Sequence, residues 1–387
     1  MGLFYCVVYL REYLCNMQFH EIINAKFSKE SDRAMMQKDA YPVNAAFSSY
    51  LQQYGRDIPL PVIFSDLVNY SYADALKDKR GKWTHWENAV YEPNQWAQLA
   101  PALVKCYLLL KSHQEVAPAS QYAIERIDFC EYGNSIPFRI KITQQATGQY
   151  DFFYIKQADA SRIYGLELEH LLTNNLINYR CFQDTLVEEH IGGTPGDNFL
   201  LHSKQLTVQQ QTNLARAFVQ FNESCFARLL GDMRSYNFVV NQERGPNENT
   251  YRFRAIDFDQ QCYEGRKNLY FPQFYKENIE YVEMVLKLLT PAQIIQAQQL
   301  EHAAMAERII TYRRQLMELV NSMVKDDISE NYKIQLLRSE LNLHFTTDRF
   351  TRCKTMGEVV KQQLKQVLQK QVQQVKLTPN VRQPHRF

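Results

Sequence analysis

No apolar run of the length needed to cross a bilayer, about 20 residues, occurs in the 387-residue chain. The nearest approach, residues 3–14, is short, carries Arg11 and Glu12, and has neither a basic leading region nor a small-residue cleavage site. It reads as a buried helix or strand, so no transmembrane segment is expected. An N-myristoylation signal after Met1-Gly2 needs Ser or Thr where this chain has Cys6. Paired cysteines are lacking too. Cys6, Cys15, Cys106, Cys130, Cys181, Cys225, Cys262 and Cys353 are scattered, with no Cys-x-x-Cys and no histidine at metal-ligand spacing. That excludes a paired-cysteine metal site and predicts reduced thiols in a cytoplasmic protein, with Cys225 and Cys262 as small buried residues.

An excess of one charge is also missing overall, since 44 Lys and Arg face 42 Asp and Glu. The balance is unevenly spread. Residues 351–387 hold eight Lys or Arg and one acid, +7 in a chain of net +2, so the preceding 350 carry −5. Within that basic end Val360, Leu364, Val367, Leu368, Val372 and Val375 form an apolar stripe at helical spacing. A helix packed on its own protein is the default, with a protein partner as the alternative and nucleic acid not expected. Residues 382–387 read as a loose tail. At 45% hydrophobic content the chain is long enough for two cores plus further elements.

The most informative stretch is Gly231-Asp232-Met233-Arg234-Ser235-Tyr236-Asn237, followed by the apolar Phe238-Val239-Val240 and then by Ile256-Asp257-Phe258-Asp259. Phosphate transfer needs a carboxylate to orient and deprotonate an attacking hydroxyl, and oxygen ligands to hold magnesium on the phosphates of a nucleotide. Asp232, Asn237 and Asp257 supply those groups in that order. Asp232 and Asn237 lie five apart, so one compact loop can turn both towards one site. The β-rich run after Asn237, the Gly245-Pro246 turn and the alternation from Tyr251 to Phe258 predict a hairpin that sets Asn237 and Asp257 side by side. Asp259 reads equally as a further metal ligand or as a cap on nearby amides.

This order of residues resembles the protein-kinase-like superfamily, whose catalytic loop reads Asp-x-x-x-x-Asn and whose metal-binding strand ends in Asp-Phe-Gly or a variant. Gly231 before Asp232 is similar to the loop of aminoglycoside and choline kinases, with Leu230 in place of their histidine. Arg234 falls where many protein kinases carry a lysine that touches the transferred phosphate. The resemblance implies an α+β, two-lobed fold, with a small β-rich lobe over residues 121–200 and a larger helical lobe over 201–350. Residues 1–120 are expected to form an additional, mostly helical N-terminal region, and 351–387 a basic helical extension.

Upstream elements follow from the same resemblance. Tyr150-Asp151-Phe152-Phe153-Tyr154-Ile155-Lys156 is a β-rich run ending in the lysine that would anchor the nucleotide phosphates. A helical pattern then carries Ile163, Leu166, Leu168, Leu171, Leu172 and Leu176 as its stripe, with Glu169 expected to clamp Lys156 in preference to Glu167. Thr185 to Ile191 reads as a strand leading into Gly192-Gly193-Thr194-Pro195-Gly196, where Glu188 and His190 would offer backbone groups to adenine. Tyr132-Gly133-Asn134-Ser135 is the candidate phosphate-covering turn, with Ser135 as a donor. Trp83 and Trp86 read as core residues. No Ala-Pro-Glu follows Asp257, and the short segment there favours a small-molecule kinase or an atypical protein kinase.

The expected activity is therefore ATP- and magnesium-dependent transfer of the γ-phosphate to a hydroxyl on a small molecule or a protein. The alternatives are an atypical Ser/Thr kinase of the HipA-like or secreted bacterial effector type, or an inactive kinase-like binding module.

Overall fold

The computed structural model describes residues 38–78, 81–111, 117–130, 135–245 and 249–377, apart from the side chain of Arg244. The readings made for residues 3–14, 132–134 and 382–387 lie outside these. The chain is α+β and divides into two compact units.

The smaller unit comprises residues 39–163 and 176–191. Helix α1 (Ala45–Gln53) opens at Asn44, whose side chain accepts from the Phe47 amide as an N-cap. After the single turn α2 (Phe64–Leu67) come strands β1 (Tyr72–Lys77) and β2 (Trp83–Val90), then helix α3 (Pro93–Leu110), which starts with proline in its first turn. Strands β3 (Tyr122–Phe129), β4 (Phe138–Gln144), β5 (Tyr150–Gln157), β6 (Tyr179–Phe182) and β7 (Thr185–Glu189) complete a seven-stranded sheet in the order β1-β2-β3-β4-β5-β7-β6. Each neighbouring pair is antiparallel.

Alternation sets the buried face of this sheet. Phe138, Ile140 and Ile142 of β4 and Phe153 and Ile155 of β5 are at most 1% exposed, and they join Leu103 and Leu110 of α3 in one core. The intervening Arg139, Lys141, Phe152 and Tyr154 are half-buried on the other face. Residues 39–110 were expected to stand apart as a mostly helical region. They instead share this unit, because the aromatic-rich β1–β2 hairpin extends the sheet through the pairing of Glu87 with Phe129 and Asn88 with Asp128. Trp83 is not a core residue. It is 62% exposed, with the Lys77 ammonium 4.3 Å from its ring centroid, while half-buried Trp86 takes the Arg139 guanidinium at 4.2 Å.

Of the described residues, Lys38, 164–175 and 192–377 form the larger unit. Helix α4 (Ala160–Leu172) contributes its later turns. Strand β8 (Thr194–Pro195), α5 (Gly196–Ser203) and α6 (Val208–Arg228) follow, then the hairpin β9 (Phe238–Arg244) and β10 (Asn249–Ala255), to which β8 adds in the order β10-β9-β8. Five more helices complete it: α7 (Ile279–Leu288), α8 (Pro291–Thr311), α9 (Arg313–Val324), α10 (Asn331–Phe345) and α11 (Met356–Leu377). Helices α6 and α8 begin at capping boxes, Thr207 with Gln210 and Thr290 with Gln293, and Pro291 occupies the first turn of α8 as its sequence position predicts. Helix α6 is central, buried almost all round from Phe218 to Arg228.

The apolar stripe of α11 packs on its own unit, with Val359, Val360 and Leu368 fully buried, whereas Leu377 is 82% exposed. Its entry is fixed by Gly357. A Cβ there would stand 2.1 Å from the Met323 carbonyl oxygen at the end of α9, so only glycine allows the approach. Gly357→Ala is expected to cost about 3 kcal/mol, the upper part of the overpacking range, because backbone must yield where a side chain cannot. A lowered urea midpoint with an unchanged slope checks this. No described helix is long and apolar enough to cross a membrane.

Candidate functional site

The Asp232 loop is built from the end of α6. Leu229 caps that helix in the left-handed region at φ 55°, and the Leu230 amide reaches back to the Cys225 carbonyl at 2.9 Å. Leu230 then forms an isolated antiparallel bridge with Gln261, and the Gly231 amide donates to the Gln260 carbonyl at 3.2 Å. These bonds fasten the loop to the segment following Asp257. Asp232 itself sits at φ 55°, a region that Asp enters more readily than most side chains. Its amide donates to the Tyr275 hydroxyl at 2.9 Å, and that hydroxyl donates to the Leu269 carbonyl at 2.7 Å.

Two turn bonds carry the chain from Asp232 to Asn237: Arg234 N–H to the Asp232 carbonyl at 2.9 Å, and Asn237 N–H to the Arg234 carbonyl at 2.8 Å. The Asn237 side-chain amide donates to the Asp232 carbonyl at 2.8 Å and to Asp232 Oδ2 at 3.2 Å. The Ile256 amide donates to the Asn237 carbonyl at 3.0 Å, closing the β9–β10 hairpin one residue before Asp257. Asp232, Asn237 and Asp257 therefore come together as the hairpin reading requires. Asp257 Oδ1 accepts the Asp259 amide at 2.9 Å, and the Asp259 carbonyl accepts Lys38 Nζ at 2.7 Å.

Arg234 braces Asp232. Its Nε donates to Asp232 Oδ1 at 2.8 Å, its Nη1 donates to Glu277 Oε1 at 3.0 Å, and its guanidinium lies 5.2 Å from the Tyr275 ring centroid. Burial alone would lower the Arg234 pKa, but the Asp232 carboxylate outweighs it and holds the guanidinium above its usual range. Burial pushes the Asp232 carboxyl up to about 6. The charges of Asp257 and Glu277 add to that rise, while Arg234 opposes it. With two carboxylates already on it, Arg234 acts as a positioning residue in this arrangement. Tyr275 and Glu277 were not singled out in the sequence, since both follow Asp232 by more than 40 residues without a motif to mark them.

The smaller unit holds a second charged group. Lys156 Nζ donates to Glu188 Oε2 at 2.8 Å, and Arg162 donates to the same carboxylate through Nε at 2.6 Å and Nη2 at 2.8 Å. All three side chains are buried. In the β5–β7 register Tyr154 faces Glu188 and Lys156 faces Leu186, so Lys156 and Glu188 are diagonal neighbours on one face. Burial would raise the Glu188 pKa, yet Arg162 and Lys156 together bring it down to about 2. His190 is nearby, its Nδ1 3.2 Å from the Tyr154 hydroxyl, and burial lowers its pKa. Ser135 is buried and accepts the Gln157 amide through its carbonyl at 3.3 Å.

These positions correct two expectations. Glu188, read as a source of backbone groups, holds Lys156 with its side chain. Glu169, read as the clamp on Lys156, pairs with Arg228 inside the larger unit and accepts Thr173 Oγ1 at 3.0 Å and Asn175 Nδ2 at 2.7 Å. Helical spacing alone could not show this, because the Arg228 that selects Glu169 lies on another helix. Arg162 gave no local signal either; it begins a predominantly apolar helix face and finds its carboxylate on β7. Cys225 and Cys262 are fully buried, and burial raises both thiols, as expected of packing residues.

The donor set fits magnesium. Among the described residues no cluster of three His, Cys, Asp or Glu forms a cage. Magnesium typically takes one or two protein carboxylates with phosphate oxygens and water completing its shell. The Asp257 carboxylate and Asn237 Oδ1, which accepts no hydrogen bond among the described residues, are donors of that kind. Compared with protein-family models and with curated proteins, the chain matches none.

Proposed function

We propose that this chain is an ATP- and magnesium-dependent phosphotransferase of the two-lobed, kinase-like kind, which moves the γ-phosphate to a hydroxyl acceptor. The observation that supports this best is the meeting of Asp232, Asn237 and Asp257 at one loop and hairpin end, with Asp232 braced by Arg234. In this reading Asp232 receives the proton of the acceptor hydroxyl. Its carboxyl, raised to about 6, is ionised at neutral pH and remains basic enough to take that proton.

Arg234 and Asn237 fix the orientation of the carboxylate, so its position is set before substrate arrives. Asp257 and Asn237 would hold magnesium, which when bound supplies charge neutralisation on the transferring phosphate. Lys156, oriented by Glu188, would anchor the nucleotide phosphates. Ser135, Glu188 and His190 lie on or beside β5 and β7, within the same unit as that lysine.

Nucleotide-dependent thermal stabilisation tests the proposal. Magnesium-ATP at one hundred times its Kd should stabilise the wild-type protein by about 2.7 kcal/mol. Asp257→Ala, at the edge of the hairpin, should fold and lose most of that gain. A wild-type protein that magnesium-ATP never stabilises would overturn the assignment.

A further inference from the structure

The larger unit contains a cavity separate from the Asp232 loop. It lies between α6, α7, the start of α8 and the segment 271–273, and is partly open to solvent. Its wall is mostly apolar, with Phe218, Phe271, Val282, Val285 and Ile294 among its residues, and Leu286 in the lining is 40% exposed.

Two of the polar side chains in the lining, Asn222 and Glu223, are committed to neighbours. Asn222 donates through Nδ2 to the Phe218 carbonyl at 2.8 Å and accepts the Gln273 amide on Oδ1 at 2.8 Å. Glu223 accepts Gln298 Nε2 on Oε1 at 2.7 Å, and its Oε2 meets His302 Nε2 at 2.9 Å. These contacts fix which end of the Gln298 amide is oxygen, since the end against Glu223 must donate. Gln298 Oε1 is then left over. The side chain is 7% exposed, and this oxygen accepts no hydrogen bond among the described residues. A buried acceptor without a donor is costly, and here it belongs to a residue lining an apolar cavity.

We propose that this cavity is a binding site for a small, neutral, apolar molecule bearing one hydroxyl, whose O–H donates to Gln298 Oε1. The acceptor selects a donor, and the apolar wall selects an uncharged body. The site also bears on the loop. Phe271 and Gln273 in the lining flank Pro272, whose carbonyl accepts Asn278 Nδ2 at 2.7 Å, and the same nitrogen donates to the Met233 carbonyl beside Asp232 at 2.8 Å. An occupant therefore touches the segment that holds the Asp232 loop in place.

The test uses the full chain with 4-propylphenol and its O-methyl ether, which share the apolar body and differ in the donor. Binding is followed by methyl NMR of Val282, Val285 and Ile294. The phenol is expected to bind saturably with Kd on the order of 100 μM and the ether about tenfold more weakly. Gln298→Leu should remove the preference for the phenol, and Val285→Phe, which fills the cavity, should abolish binding of both. Asp232→Asn should leave phenol binding unchanged, separating this site from the phosphotransfer reading. Equal affinity for the two probes, no saturable shift with either, or undiminished binding in a folded Val285→Phe protein would overturn the proposal.

Discussion

Asp232→Asn is expected to lower phosphate transfer about a thousandfold, within the range removed with a general base, while magnesium-nucleotide binding stays within about twofold. Asparagine keeps the shape of the side chain and an oxygen for Arg234, but it cannot take the acceptor proton. Undiminished transfer in this variant would end the mechanism. In the wild type kcat/KM should rise with pH through about 6, the value to which burial lifts this carboxyl, and the rise should be absent in the variant.

The same substitution should stabilise the fold at pH 7.5. The folded carboxyl, at about 6, binds its proton more tightly than the unfolded one near 3.8, so stability is lost as pH rises across that window. Above it the ionised group costs the fold about 1–2 kcal/mol, after discounting for a side chain that is 29% exposed. Urea titrations should show Asp232→Asn ahead of wild type at pH 7.5, with the gap closing near pH 4. A group that only supported structure would show the opposite sign.

Glu188→Ala is the second large effect, expected to cost about 3–5 kcal/mol because it leaves Lys156 and Arg162 as buried cations without their carboxylate. Glu188→Gln should cost less, since it keeps an acceptor oxygen. The pH dependence runs the other way from Asp232. With the Glu188 pKa brought down from 4.5 to about 2, its stabilisation is full above 4.5 and lost as pH falls towards 2. Urea midpoints at pH 7 and pH 3 check both points: the deficit of the alanine variant should be large at pH 7 and smaller at pH 3. If Glu188→Ala unfolds at the wild-type midpoint, the buried triad contributes nothing.

Much of the fold was legible where local chemistry fixes local structure. The β9–β10 hairpin could be read from its turn residues and alternation, α8 from Thr290-Pro291, and β5 from its aromatic run ending at Lys156. The loop at Asp232 was legible for the same reason, as six residues suffice to set Asp232 and Asn237 together. Pairings between distant segments were not. Lys156 is matched to Glu188 and Glu169 to Arg228 by strand register and helix packing, and neither leaves a mark in spacing. The β1–β2 hairpin was missed because the tryptophans that mark it suggested a core, whereas the Lys77 ammonium lies over the exposed Trp83 ring and the Arg139 guanidinium over Trp86.

The route of the chain through its two units limits how it can be cut or assembled. Residues 164–175 belong to the larger unit before 176–191 return to the smaller one, bringing β6 and β7. During synthesis the first five strands can pair as sequence neighbours, with α3 carrying the one long connection among them, between β2 and β3. The sheet nevertheless waits for its last two strands. A fragment ending at residue 163 would carry Lys156 and Arg162 without Glu188, and with β5 as an open edge. Such a piece should aggregate when expressed alone, so the smaller unit is a spatial division that cannot be harvested as a continuous segment.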